Sequence, residues 1–522
     1  MHESRNRSGK MNACAPQEDL MDPSDVVVYD TDNYPPRKEA GTLCEARANI
    51  VAVSRDPAAP LVSIIVPAYN RIEKTKLCIE SVQKYTKGID YELILFDHGS
   101  TDGTFSYLLS VEHPRKKIIK FTRNTTKLLC EALNLTCSYI VVLNNDVVVT
   151  KDWLSNLLAC AQSDRRIGII VPASSNVSNF QEIDLQFDDI DDMQRKAAAY
   201  NASNPRKWHE RLRLVTPLYF MRKECFDLVG LGDYAIGQFM DDDLTFNIRR
   251  AGYKAVLCRD TFVHHNHDFR NAEDKDPKEF ASSLQKGREH FKEKHYGIDA
   301  WDDVNNYEPD MVSMVNPPAS KESVEVLGTD VRCGTPILEI KNRLRDHDVF
   351  STRLSALCED PKYYLDLKTI CDGDVFCGRA DDLPRYFDKK RFDYVVLGEP
   401  LNTYAQPLAL LRQLLSLLKS KGQLLLRVRN TFDVCTMVNA LGSKNNSYDI
   451  CLAHMTVELI QRVAYPLGGM VQEVRVETHG SHDALRKQFS DIIAKAKLSG
   501  NINETVMRLF AENYVLNICR TQ

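Results

Sequence analysis

Between residues 61 and 172, apolar runs of five to seven positions alternate with stretches whose apolar residues recur every third or fourth place. LVSIIVP (61–67), YELILFD (91–97), KIIKF (117–121), YIVVLNN (139–145) and IGIIVP (167–172) read as buried strands. Helical spacing falls between them: Ile72–Tyr85 with Leu77, Ile79 and Val82 on one face, a short turn-and-helix at Gly103–Ser110, Lys127–Leu135, and Trp153–Ala161. Alternation of this kind predicts an α/β unit with a mostly parallel sheet and helices on both faces. Ligands of such sheets bind at the carboxyl ends of the strands, which is where Tyr69, Asp97 and Asp146 fall.

The pattern then loosens. Residues 175–210 are polar and predict a long functional loop, an acceptor or lid element. Order returns at 212–230, and 241–258 reads as a helix with Leu244, Ile248 and Ala251 on one face and Gly252 as its stop. A charged helix is expected over 268–295. The second half shows PILEIKN (336–342), YYLDL (363–367) and FDYVVLGEPL (392–401) as strands. A helix from Gln406 to Leu418 follows, then the strand QLLLRVRN (423–430). The chain thus divides into a loosely ordered leader (1–59), an α/β domain (60–300), a linker (301–323) and a second α/β domain (324–522).

Composition changes this picture little. The 522 residues are 43% hydrophobic and 27% charged with a formal net charge of -5, an ordinary globular balance that makes no case for nucleic-acid binding. No apolar run reaches the roughly 18 residues of a membrane-crossing helix, so no integral membrane segment is expected. The N-terminus lacks the apolar core of a secretory signal. Fifteen cysteines stand without metal-type pairing, as in a cytoplasmic chain with reduced thiols.

Candidate chemistry lies in four places. Pro67-Ala-Tyr69-Asn70 ends the first strand, where a proline and an aromatic could shape a nucleotide slot. Asp97-His-Gly-Ser100-Thr-Asp102 ends the second: Asp97 can accept from a pyrimidine ring N–H, while Ser100 and Asp102 equally suit a capped turn. Asn144-Asn145-Asp146 ends the fourth. A carboxylate buried there is costly unless a cation or strong donors compensate it, so Asp146 is either a metal anchor or a polar strand cap. Asp241-Asp242-Asp243 opens a helix, where the macrodipole favours acids but three exceed what capping needs. One of them could act as a general base. His264-His-Asn-His267 follows and could supply a metal ligand.

In this order, VSIIVPAYNR, LILFDHGSTDGT, YIVVLNNDVVVTKDWL, DDDLTFNIRRAGY and VHH resemble the inverting glycosyltransferases of family 2, over about residues 61–270. The resemblance implies a GT-A, Rossmann-like domain using a nucleotide-diphosphate sugar as donor and a glycan or protein hydroxyl as acceptor. It places Asp97 on the nucleobase and Asp146 on Mg²⁺ or Mn²⁺ at the diphosphate. It makes His265 the late histidine that helps bind metal, and Asp241 the base, with Asp242 its rival because Met240 stands where the family has glutamate. Pro67, Tyr69, Asn70, Ser100, Asp102 and Asn145 complete the donor site. Residues 336–430 resemble a class I S-adenosylmethionine-dependent methyltransferase, a second, smaller Rossmann-like domain. ILEI there runs into Lys341–Asp346 without a glycine, and a cofactor loop needs bare backbone. S-adenosylmethionine binding is therefore not expected, and the domain would serve acceptor binding or homo-oligomerisation. The rivals are a bifunctional enzyme that also methylates the sugar, and a non-enzymatic scaffold.

Overall fold

The computed structural model describes residues 26–29, 60–121, 137–230, 232, 239–267, 277–319, 322–434, 454–478, 483–497 and 500–521. The helix expected over Lys127–Leu135 lies outside them, as do residues 268–276 of the charged helix. The chain forms two compact units, Met1–Phe291 and Lys292–Gln522.

In the first unit the apolar runs become strands and the intervening periodic stretches become helices. In chain order these are β1 (Val26–Tyr29), β2 (Val62–Ala68), α1 (Ile72–Tyr85), β3 (Tyr91–Asp97), α2 (Thr104–Ser110) and β4 (Lys116–Phe121). Next come β5 (Tyr139–Leu143), β6 (Val147–Val148), α3 (Trp153–Ser163), β7 (Ile167–Ser174), α4 (Ile190–Tyr200) and β8 (Trp208–Arg211). The unit closes with β9 (Leu218–Arg222), α5 (Lys223–Val229), α6 (Met240–Arg250), β10 (Lys254–His265) and α7 (Pro277–Lys294). The sheet order is β1-β4-β3-β2-β5-β9-β7-β10-β6, with β8 paired to β10. From β1 to β5 the strands are parallel; β9 runs antiparallel to both β5 and β7. Separate apolar clusters cover the two faces: α1 and α3 pack with Ile64, Leu93 and Val141, while Leu244 and Ile248 of α6, with Ala251 at its end, join Ile65, Ile94 and Ile140.

Two expectations for this unit need correction. The leader is not uniformly unstructured, because Val26–Tyr29 extends the sheet in parallel beside β4. Residues 175–210 are not a free loop. Asp189 caps α4 by accepting from the Asp192 N–H at 2.7 Å, and Met193 and Ala197 are buried against Val148 and Phe262. Ile183, Leu185, Phe187, Ile190 and Tyr200 pack around them, so the stretch carries enough apolar side chains to anchor a helix.

The second unit includes α8 (Pro309–Ser313), β11 (Val324–Thr329), α9 (Thr335–Asp346), β12 (Thr352–Cys358), α10 (Tyr364–Ile370), β13 (Val375–Cys377), β14 (Phe392–Leu397), α11 (Pro407–Leu417), β15 (Leu418–Arg429), β16 (Gly469–Thr478) and β17 (Ala511–Arg520), with further helices at Leu383–Tyr386, Val457–Ala464, Asp483–Ala496 and Ile502–Phe510. Its sheet order is β13-β12-β11-β14-β15-β17-β16, parallel except for β17, which opposes both its neighbours. This is a doubly wound sheet whose order reverses between β11 and β14.

Here the sequence pattern misplaces several elements. PILEIKN is the helix α9: Ile337, Leu338, Ile340 and Leu344 are all buried, so a helix face pressed on the sheet imitates a strand. YYLDL lies in α10 and the turn before it, which puts Asp366 on a helix and not at a strand end. The true second strand, TRLSALC, is hidden by its polar Thr352, Arg353 and Ser355. Lys341–Asp346 is therefore helix, and its lack of glycine says nothing about a cofactor loop. The loop that follows the first strand is Asp330–Gly334. Finally, residues 301–323 are not all linker. Val304, Met311, Met314 and Val315 are buried, and the Asn517 amide donates to the Met314 carbonyl at 2.9 Å.

Candidate active site

Strand register assembles the site. β5 stops at Leu143, and the Val147 N–H returns to the Asn144 carbonyl at 3.0 Å, turning the chain into β6. β6 pairs antiparallel with the end of β10, Val147 opposite His265 and Val148 opposite His264. The Asn266 N–H then donates to the Asp146 carbonyl at 2.8 Å. Asp146 is thereby brought beside two histidines more than a hundred residues away in sequence. Its Oδ1 lies 3.4 Å from His265 Nε2 and its Oδ2 lies 3.1 Å from His267 Nδ1. Ligand atoms of the three residues gather within 4.8 Å of one another.

The surroundings suit a cation. Asp146 is 3% exposed, and its Oδ1 has no hydrogen-bond partner among the described residues. Burial works against its charge, but the two imidazoles beside it, His265 and His267, outweigh that and bring the pKa down to about 2. His265 Nδ1 lies 3.2 Å from the Asn176 carbonyl. That contact makes Nδ1 a donor and turns Nε2 towards Asp146. The Asn176 amide in turn donates to the His265 carbonyl at 2.9 Å. Arg71 Nη1 stands 3.4 Å from Asp146 Oδ2, and Lys74 Nζ donates to the Asn266 carbonyl. His264, by contrast, is held by the Ser175 hydroxyl at 2.6 Å, and burial lowers its pKa to about 4. The family motif singles out His265 and misses His267.

Asp97 ends β3, directly opposite Ala68 of β2, at the same sheet edge as Asp146. It is fully buried; Oδ1 accepts from the Ser100 N–H at 3.2 Å, and Oδ2 has no partner among the described residues. Pro67 sits in β2 opposite Phe96, and Tyr69 just beyond is 44% exposed. The remaining donor-site candidates build the loops around them. The Asn70 N–H donates to Ser100 Oγ at 2.9 Å, and the Asn70 side chain accepts from the Thr101 N–H at 2.8 Å. Asp102 accepts from the first N–H of α1, at Ile72, and from the first of α2, at Thr104. Asn145 donates to the Asn70 carbonyl and to Thr75 Oγ1, tying the end of β5 to α1.

The three acids of α6 differ sharply in company. Asp241 accepts from both the N–H and the hydroxyl of Thr216. Burial raises its pKa, with Thr216, Arg213 and His265 pulling the other way. The adjoining Pro217 carbonyl receives the Asn144 N–H at 2.8 Å, which links Asp241 to the turn holding Asp146. Asp242 is buried and ion-paired with Arg213. Asp243 is 1% exposed and accepts from the Asn247 amide at 3.2 Å.

A parallel α/β sheet with an Asp–His–His cluster and an acidic helix start at its carboxyl edge defines a GT-A-type glycosyltransferase domain. The particular family follows from the sequence: residues 63–224, within the first unit, match the model of glycosyl transferase family 2. Among curated proteins, the chain is 30% identical over 111 residues to the uncharacterized protein y4gI of Sinorhizobium fredii, covering 20% of this chain and 12% of that one. It is 41% identical over 71 residues to CsbB of Bacillus subtilis, a candidate glycosyltransferase, covering 13% and 22%. The chain thus spans under a quarter of the length of either relative. Among solved structures, the mannosyltransferase PcManGT of Pyrobaculum calidifontis, in complex with GDP-Man and Mn²⁺, aligns over 48% of this chain and 72% of that one (18% identity, TM-score 0.34). A SAM-dependent methyltransferase from Archaeoglobus fulgidus aligns over 38% and 87% (15% identity, TM-score 0.26). The second unit has a doubly wound, Rossmann-like sheet. No helix among the described residues is long and apolar enough to cross a membrane.

Proposed function

We propose that the first unit transfers a hexosyl or N-acetylhexosaminyl group from a nucleoside diphosphate sugar to a hydroxyl of a glycan or protein, with inversion at the anomeric carbon. The observation that carries this reading is the convergence of Asp146, His265 and His267 at one end of the sheet. One carboxylate and two imidazoles suit Mn²⁺ better than Mg²⁺, which prefers an all-oxygen shell. Asp146, His265 and His267 would hold the ion, and a bound divalent cation supplies charge neutralisation for a departing diphosphate.

The chain's own residues do the rest. Asp97 offers its second carboxylate oxygen to a ring N–H of the nucleobase, with Tyr69 exposed beside it. Asp241 takes the proton of the acceptor hydroxyl as that oxygen attacks the anomeric carbon. Thr216 fixes both oxygens of Asp241, so the base is aimed before the acceptor arrives. Asp242 is the weaker candidate because Arg213 already claims its charge. A single in-line displacement inverts the sugar.

The test is calorimetric and kinetic together. The wild-type chain is expected to bind Mn²⁺ and to hydrolyse or transfer from at least one nucleoside diphosphate sugar. Asp146→Asn and His267→Gln should each weaken Mn²⁺ binding by at least about tenfold, the scale of losing a metal-site interaction. A chain that turns over no donor in the presence of Mn²⁺, or whose turnover survives Asp146→Asn, sinks the reading.

A further inference from the structure

The carboxyl edge of the second unit's sheet encloses a cavity of about 490 Å³. That volume lies within the usual range for a small-molecule site, and the position is where doubly wound sheets take ligands. Its walls come from Asp330 and Arg332 behind β11, Glu359 behind β12, Arg379 and Asp381 behind β13, and Glu399 behind β14.

The fold implies S-adenosylmethionine here, and the residues do not fit it. A cofactor enters such a sheet through the crevice between the first and fourth strands, against bare backbone of the first turn. In this unit ion-paired and hydrogen-bonded side chains crowd that crevice. The Asp330 carboxylate accepts from the Tyr404 hydroxyl at 2.7 Å and from the Glu359 N–H at 3.0 Å. Arg332 is held across the first turn, with Nε 3.2 Å from Glu399 and Nη1 donating to the Asp302 carbonyl at 2.5 Å. Asp330 (φ 51°) and Arg332 (φ 53°) are both left-handed, a conformation that bulky residues adopt only where their surroundings hold it.

What remains open is strongly polar. Five carboxylates face two guanidiniums, a balance that repels a phosphate group. No three acids of this unit are gathered closely enough to hold a metal ion among the described residues. Among the described residues, Ala380 and Ala405 are the only aliphatic ones in the lining, too little for an acyl chain. Carboxylates that accept from neighbouring hydroxyls, arginines that donate back, and tyrosine rings that cover C–H faces are the groups a sugar needs.

We propose that this cavity binds a neutral glycan and not S-adenosylmethionine, so that the second unit recognises the acceptor. Only the word acceptor rests on the glycosyl-transfer reading; the binding itself does not. The full chain would be applied to an array of neutral oligosaccharides, and titrated in solution with S-adenosylmethionine, S-adenosylhomocysteine and adenosine. At least one neutral glycan should bind, and Glu359→Gln and Arg379→Gln should each weaken it about tenfold, the effect of losing one charged hydrogen-bonding partner. Both side chains are exposed at the cavity, and circular dichroism establishes that each variant is folded. The nucleosides should give no heat. Binding of any of the three, a blank array, or glycan binding untouched by both substitutions overturns the proposal. Donor turnover is measured in parallel on the wild-type chain: turnover without glycan binding defeats this site alone, and glycan binding without turnover defeats the transferase reading alone.

Discussion

Asp241 and Asp242 are neighbours on one helix turn, and burial raises the pKa of both, with different consequences for the two. Burial raises the pKa of Asp241, and a base must be deprotonated to accept a proton. The rate of sugar transfer should therefore rise with pH through an apparent pKa above the usual carboxylate range. Asp241→Asn should remove that limb together with at least about 100-fold of the rate, the low end of general-base contributions. A pH–rate profile checks both. Asp242 acts on stability. Burial lifts its pKa to about 6, although Arg213 pulls it back. Between about pH 4 and 6 the unfolded chain gives up this proton while the folded chain keeps it, so stability falls as pH rises through that window. Thermal melts of Asp242→Asn should show a smaller drop from pH 4 to pH 7 than the wild type; an unchanged drop would falsify the assignment. At this scale Asp97 and Asp146 are legible in the sequence, because an acid at the carboxyl end of a buried strand needs a cation or strong donors to offset its burial. His265 is legible from its place in the family motif. The pairing with His267 is not, since it depends on the register between β6 and β10.

The helices of the first unit depend on one residue more than their sequences suggest. Asp102 could be read as a ligand or a cap, and its contacts are those of a double cap, accepting the first N–H of both α1 and α2. Losing one such cap costs about 1 kcal/mol, so Asp102→Ala should cost about 1–2 kcal/mol in urea unfolding. It should also weaken nucleotide binding, because the same loop holds Ser100 between Asn70 and Asp97. A loss confined to stability, with donor affinity unchanged, would show that the loop holds without it. Strands of the first unit are readable because both faces of a parallel sheet are covered, which makes each strand a continuous apolar run. The second unit defeats the same rule. ILEI in α9 is apolar because a helix lies flat on the sheet, and β12 is interrupted by Ser355 and Arg353. Gly334 and Pro336 at the start of α9 are the usable signal, a left-handed entry followed by a first-turn proline.

At the scale of the whole chain, the division into units decides what can fold alone. The stretch read as a linker contributes Val304, Met311, Met314 and Val315 to the buried interior of the second unit. At about 1.5–3 kcal/mol each, those four side chains are worth about 6–12 kcal/mol, as much as the whole stability of an ordinary domain. Polar groups depend on the segment as well. The Tyr394 hydroxyl donates to the Asn316 carbonyl at 2.7 Å, Thr335 donates to the Val304 carbonyl at 2.6 Å, and Arg427 pairs with Glu308 at 2.9 Å. Asn517 is fully buried, so removing Met314 leaves its amide without the carbonyl it serves. A fragment of residues 292–522 is therefore expected to fold with a cooperative melt. A fragment of 324–522, cut where the sheet begins, should be insoluble or melt without a transition. If the shorter fragment melts cooperatively within a few degrees of the longer one, then the packed segment is an appendage and the second unit begins at β11.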